Sequence, residues 1–192
     1  IINRSFKGKI DKKCFLMSTS GSTGEPIRVL KSFDSIFSIL SLSNSKVIRN
    51  FQSLKDIKIM TILVYAPETM EEVLTDFLLK VKRINFRRVN ALNEVKEYIR
   101  ELNEYHPSIL ITYPSVLKDI YMYQLQSGCE VFSPNLIVTS GEIFEVNVRN
   151  RLKKIFKGSQ FIDTYFCTEG GIIAAECKEG GKKVILENRV YL

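Results

Sequence analysis

The sequence predicts an α/β protein whose largely parallel sheet is flanked by helices, with a short antiparallel β segment at the C-terminal end. Two observations carry this expectation. Between residues 57 and 166, short apolar runs of strand length alternate with segments whose apolar residues recur at helical spacing, and such alternation builds parallel sheets. After Ile172 the helical spacing disappears, and the stretches at 172–178, 183–187 and 189–192 surround a Gly180-Gly181 turn, as antiparallel strands do.

The elements follow in order. Cys14-Phe15-Leu16-Met17 is an apolar run that flows into the small, hydroxyl-rich stretch 18–26, and Ile27-Arg28-Val29-Leu30 reads as the return strand. Ser32 is placed to cap a helix ending near Phe51, in which Phe33, Ile36, Phe37, Leu40 and Val47 share one face. Residues 57–64 read as a mostly buried strand, 71–80 as a helix with Val73, Phe77 and Leu78 inward, and 81–89 as a further strand. Asn93 is a candidate cap for a helix carrying Val95, Tyr98, Ile99 and Leu102, which His106-Pro107 ends because the residue before proline avoids the helical region. A strand at 108–112 precedes a helix that opens on Pro114 and runs to about Gln126, with Gly128 as its stop. A strand at 136–139, a basic amphipathic helix at 144–156 and a strand at 160–166 complete the alternating part.

The chain has 192 residues, 45% hydrophobic and 26% charged, so it can build an ordinary globular core; disorder, collagen and disulfide-stapled mini-proteins are excluded. Its 28 Lys and Arg against 21 Asp and Glu leave a charge of +7. The basic residues are dispersed apart from small clusters such as 149–157, so a solvated face is expected and nucleic acid is not. Cys14, Cys129, Cys167 and Cys177 form no CxxC pair and follow no secretory signal, which suggests reduced thiols and a cytoplasmic setting. Cys177 reads as a buried thiol rather than a metal ligand. No apolar run approaches the roughly 20 residues that span a bilayer. The chain opens on Ile1 and stops inside an apolar alternation at Val190-Tyr191-Leu192, so a piece of a longer protein is expected.

Three segments carry residues suited to chemistry. The first is Thr19-Ser20-Gly21-Ser22-Thr23-Gly24-Glu25-Pro26, a loop that can aim backbone N–H and side-chain O–H groups at one multiply charged phosphate; by its residues alone such a loop is more often a plain turn. It is not a Walker A loop, because Glu25-Pro26 stands where Lys-Ser/Thr is required. The second, Thr139-Ser140-Gly141-Glu142, ends a strand. So does the third, Asp163-Thr164-Tyr165-Phe166-Cys167-Thr168-Glu169-Gly170-Gly171, where a hydroxyl and a carboxylate stand side by side to suit a phosphate oxygen and a magnesium ion. In open parallel sheets the carboxyl ends of strands line the ligand crevice, so the three are expected to converge. His106, the single histidine, has no nucleophile near it in sequence and reads as structural. Tyr113 and the helix after Pro114, with Val116, Leu117, Ile120 and Tyr121, read as core, with an acyl-pocket lining as the alternative.

Taken together, these segments resemble the adenylate-forming enzymes, in particular the phenylacetate-coenzyme A ligase and CapK-like branch. The family's phosphate loop is usually written TSGTTGKP or TSGSTGEP, and Thr19 to Pro26 matches the second form residue for residue. Gly141-Glu142 matches a Gly-Glu element, and Tyr165-Phe166-Cys167-Thr168-Glu169 matches the aromatic motif Tyr-Gly-x-Thr/Ser-Glu except at Phe166, where glycine is usual. Thr112-Tyr113-Pro114-Ser115 and the stretch from Ala174 to Gly181 also look like family segments, so the resemblance spans about residues 12–192. It implies that the chain is part of the large N-terminal domain, without the small C-terminal domain whose lysine reaches the carboxylate and α-phosphate.

The resemblance implies roles residue by residue. Ser20, Gly21, Ser22, Thr23 and Gly24 would wrap the β- and γ-phosphates of ATP, and Gly141 and Glu142 would flank the adenine. Asp163 would stand near the adenine amino group, Tyr165 against the ring, Thr168 at the α-phosphate and Glu169 at magnesium. The implied reaction joins a carboxylic acid to AMP with loss of pyrophosphate, followed by transfer to a thiol such as coenzyme A; the alternative is a non-catalytic nucleotide-binding or scaffold relative used in polysaccharide biosynthesis. Glu25 removes a positive charge that other branches place in the loop, and Phe166 would either wall or occupy the acyl pocket.

Overall fold

The computed structural model describes residues 14–19, 27–32, 57–80 and 85–185. The expected helix over 33–51, the strand over 189–192, the loop residues 20–26 and the side chains of Phe77 and Leu78 lie outside that set. A hairpin of β1 (Cys14–Ser18) and β2 (Arg28–Ser32) stands apart from the main sheet. The main sheet has seven strands in the order β4-β3-β5-β6-β7-β8-β9. They are β3 (Lys58–Leu63), β4 (Asn85–Asn90), β5 (Ile109–Thr112), β6 (Leu136–Thr139), β7 (Gln160–Cys167), β8 (Gly171–Glu176) and β9 (Lys183–Ile185). The pairs from β4 to β7 are parallel, and β7-β8 and β8-β9 are antiparallel, as the loss of helical spacing predicts. Helices α1 (Met70–Lys80), α2 (Val95–Tyr105), α3 (Pro114–Ser127) and α4 (Val146–Leu152) make the connections.

One face of the sheet meets α2, α3 and α4. Met60, Ile62, Leu110, Ile137 and Phe161 alternate onto that face and pack with Tyr98, Leu102, Leu117, Ile120 and Phe156. The intervening residues Ile59, Ile111, Val138 and Ile162 fall on the opposite face, where they pack half-buried against Ile57, Ile109 and Leu136. Helix ends follow the local chemistry. His106 takes a left-handed conformation (φ 51°) and its amide donates to the Leu102 carbonyl at 3.0 Å, while Gly128 (φ 68°) ends α3 in the same manner.

Four local expectations need correction. Glu94, not Asn93, occupies the N-cap of α2, because the Asn90 carboxamide has already turned the chain by accepting the Leu92 amide at 3.0 Å. The helix expected over 144–156 is regular only over Val146–Leu152: the amides of Lys154 and Ile155 bond three residues back, at 3.1 Å each, and this tightening turns Phe156 into the core. Arg149 is not on a solvated face. Its guanidinium donates to Glu176 on β8 at 2.9 Å, with both side chains 7% exposed, and lies 4.7 Å from the Phe144 ring centre. Cys177, expected to be buried, is exposed in the turn after β8.

Candidate functional site

The carboxyl ends of β1, β5, β6 and β7 open on one cleft of about 250 Å³. Thr19 comes from the end of β1, Ser140 and Gly141 from β6, and Phe166 to Glu169 from the β7–β8 turn; Glu71 of α1 and Tyr113 complete the lining. Thr19 of the first sequence segment therefore meets residues of the second and third, where an open α/β sheet is expected to bind its ligand.

Several lining residues are held by identifiable contacts. The Thr19 hydroxyl accepts the Ile27 amide, and the Thr19 amide donates to the Ile27 carbonyl, both at 3.0 Å, so the base of the hydroxyl-glycine loop is closed. The Ser18 amide donates to the Glu68 carbonyl at 2.6 Å, which ties the hairpin to the start of α1. Gly141 has φ 81° and passes so close to Tyr113 that a Cβ there would lie 3.2 Å from the ring, a site only glycine fits without adjustment. The next residue, Glu142, caps α3: its carboxylate accepts from the Ser115 amide and hydroxyl, each at 2.8 Å. At the third segment a bulge between Tyr165 and Phe166 shifts the β7–β8 pairing, and the Cys167 sulfur accepts the Gly170 amide at 3.1 Å. Thr168 and Glu169 thereby sit at the tip of a tight turn. Phe166, like Val73 and Leu74 of α1, packs against the buried cluster of Met17 on the hairpin and Met70 on α1.

The other expected residues lie around the cleft rather than in it. Asp163 is buried; one carboxylate oxygen accepts from the Thr139 hydroxyl at 2.8 Å, the other meets the Lys183 ammonium at 2.7 Å, and its amide donates to Glu176 at 2.9 Å. Tyr165 is 55% exposed on β7 and does not line the cleft. Ser20, Gly21, Ser22, Thr23 and Gly24 fall outside the described residues, and Thr19 marks where that loop departs.

Of the remaining lining residues, Glu71 is not singled out by the sequence, and Tyr113 reads from it first as core, with the acyl pocket as the alternative. Burial holds the Glu71 carboxyl above its usual value, and it pushes the Tyr113 hydroxyl up to about 12, helped by the neighbouring carboxylates Glu71 and Glu142. The signal for Glu71 was its place just past the third strand, where crevice residues arise, but the helical pattern absorbed it. No lysine or arginine is among the described residues that line the cleft. Glu169 and the Thr168 hydroxyl are oxygen donors of the kind that hold magnesium together with substrate phosphates, which needs only one or two protein carboxylates. A wider cleft of about 550 Å³ lies at the other end of the molecule. There Asn103 already accepts the Phe132 amide at 2.7 Å and donates to the Glu130 carbonyl at 2.8 Å, which makes that cleft a seam between α2 and the loop after α3.

No family model and no curated protein matches the sequence. Solved structures do match the fold. The chain aligns with VinN in complex with L-aspartate at a TM-score of 0.66 and 15% identity, covering 89% of this chain and 42% of VinN. It aligns with malonyl-CoA ligase bound to methylmalonyl-CoA and AMP at a TM-score of 0.66 and 16% identity, covering 88% of this chain and 36% of the ligase. It also aligns with an open conformation of 2-hydroxyisobutyryl-CoA ligase in complex with 2-HIB-AMP and CoA, at a TM-score of 0.67 and 13% identity, covering 90% and 41% of the two chains. The likeness is one of fold: the chain shares its architecture with these structures over about nine-tenths of its own length. The chain spans less than half the length of these structures. Among the described residues, no helix is long and apolar enough to cross a membrane.

Proposed function

We propose that the protein binds ATP with magnesium in the 250 Å³ cleft and activates a carboxylic acid as its acyl-adenylate, within the phenylacetate-coenzyme A ligase and CapK-like branch. The observation that carries this reading is the meeting of Thr19, Ser140-Gly141 and Thr168-Glu169 around one space. In this reading the loop 20–24 wraps the β- and γ-phosphates, Gly141 and Glu142 flank the adenine, and Tyr165 borders the ring. Because both oxygens of Asp163 are engaged, its part is to hold β6, β7 and β9 in register beneath the nucleotide. Thr168 donates to the α-phosphate, and Glu169 holds magnesium, which neutralises phosphate charge when bound.

The acid's carboxylate attacks the α-phosphorus and pyrophosphate leaves. This chain supplies no nucleophile in that step. Its residues position the reactants and stabilise the charge that develops. Transfer to a thiol such as coenzyme A, and a lysine that completes the site, fall to the remainder of a whole enzyme of this fold.

Pyrophosphate exchange by the intact protein with a panel of carboxylic acids, alongside isothermal titration with ATP and magnesium, tests the proposal. Glu169→Gln is expected to weaken magnesium-dependent ATP binding roughly tenfold or more with the fold intact. Equal affinity in that variant would remove Glu169 from the metal site.

A second reading is a nucleotide-binding relative without catalysis, serving polysaccharide biosynthesis as a scaffold. Two observations favour it: Phe166 fills space where the aromatic motif usually has glycine, and the cleft is smaller than the roughly 300–1,000 Å³ of ordinary ligand pockets. ATP binding without exchange for any acid would select it.

A further inference from the structure

The charges around the cleft do not suit a polyphosphate as they stand. Glu71 and Glu169 contribute carboxylates, no lysine or arginine is among the described lining residues, and the phosphate loop carries Glu25 where other branches carry a cation. Yet the chain has a charge of +7, so cations are plentiful elsewhere. What matters is which of them the fold brings to this space.

Lys31 is that residue. On β2 it pairs with Phe15, and Val29 pairs with Met17. Partners in an antiparallel ladder share a face, and residues two apart on a strand do as well, so Lys31, Phe15, Val29 and Met17 project together. Phe15 and Met17 pack with Met70 and Phe166, which makes this the face turned toward α1 and the β7–β8 turn. From there the Lys31 ammonium donates to the backbone carbonyl of Glu169. That partner is a neutral dipole, and Lys31 makes no ion pair with a carboxylate among the described residues. The half-buried stem of Lys31 lies along an apolar face while its head reaches the turn that bears Thr168 and Glu169, so a full positive charge stands at the rim of the cleft with no ion-pair partner among the described residues.

We propose that Lys31 is the polyphosphate-binding cation of this site, supplying from the return strand the charge that Glu25 leaves out of the loop. In the ligand-free chain it rests on the Glu169 carbonyl. When ATP enters, the ammonium exchanges that dipole for a phosphate oxygen, a stronger, charge-assisted partner. The inference rests on the proposed ATP site and makes a separate demand on it: Lys31 must matter to the phosphate tail and not to the nucleoside.

The test is isothermal titration of the intact protein with ATP plus magnesium, inorganic pyrophosphate and AMP, comparing wild type with Lys31→Met and Lys31→Arg, each checked by circular dichroism and melting temperature. The expected result is a loss of roughly tenfold or more for ATP and pyrophosphate in Lys31→Met, AMP affinity within about twofold, and substantial recovery in Lys31→Arg. If wild type binds ATP and Lys31→Met binds it equally well, Lys31 is not the cation, and the nucleotide site stands without it. A loss of the same size for ATP and AMP shows a structural effect and also overturns the proposal. Wild type that binds neither nucleotide defeats the proposed function itself, and this inference with it.

Discussion

Removing the Arg149 guanidinium should destabilise the fold by about 3 kcal/mol, at the lower end of what breaking a buried ion pair costs. Arg149 and Glu176 are each 7% exposed and 2.9 Å apart, so Arg149→Met leaves a carboxylate buried with no cation. Two features keep the figure low. The Nε and Nη1 of Arg149 are buried without partners, so the native pair already carries unmet hydrogen-bond demand. Methionine also retains packing volume beside Phe144. For a chain of this size, such a loss lowers the melting temperature by about 6–12 °C. Urea denaturation at neutral pH reads it directly. The double variant Arg149→Met/Glu176→Gln refines the measurement, because glutamine removes the stranded charge yet keeps an oxygen for the Asp163 amide. It should regain at least about 1.5 kcal/mol relative to Arg149→Met. A single-variant loss below about 1 kcal/mol, or a double variant no better than the single, would refute the claim that this pair is a buried, mutually dependent unit.

Two other substitutions test the cleft walls. Gly141→Ala places a methyl group at φ 81° and 3.2 Å from the Tyr113 ring, and should cost roughly 1–3 kcal/mol in denaturant midpoint; a change within about 0.5 kcal/mol would show that Tyr113 yields freely. Burial raises the Glu71 carboxyl above its usual 4.5, so the folded chain holds this proton more tightly than the unfolded one. Its contribution to stability is fully present below the unfolded value and is lost as pH rises through the folded one. Glu71→Gln abolishes that loss, and the stability of the variant minus that of wild type should climb from acid toward neutral pH. A flat or falling difference across that interval contradicts the assignment.

Among the described residues, the sequence by itself determined most of the elements and where several of them stop. Apolar runs with helical segments between them fixed the parallel sheet, because burial on both faces and the period of 3.6 are local properties of the chain. The stops at His106-Pro107 and Gly128 are equally local, since they depend on what one residue's backbone can adopt. The three strand-end segments were legible too; the second and third meet because β6 and β7 run parallel, whereas Thr19 reaches them on the separate hairpin, which the Ser18 amide ties to the Glu68 carbonyl.

Tertiary structure alone decided which charges face what. Arg149 reads as part of a basic helix face, and only the antiparallel return of β8 sets Glu176, 27 residues later, against it. Glu142 reads as a ligand-flanking residue, and only the packing of β6 beside β5 sets its carboxylate on Ser115, 27 residues earlier. Lys31 carries no motif at all and gains meaning from a turn 138 residues away. Periodicity and propensity act over one or two helical turns, whereas an ion pair or a cap is fixed by which strands become neighbours. That choice is made by the whole sheet when it closes over its core.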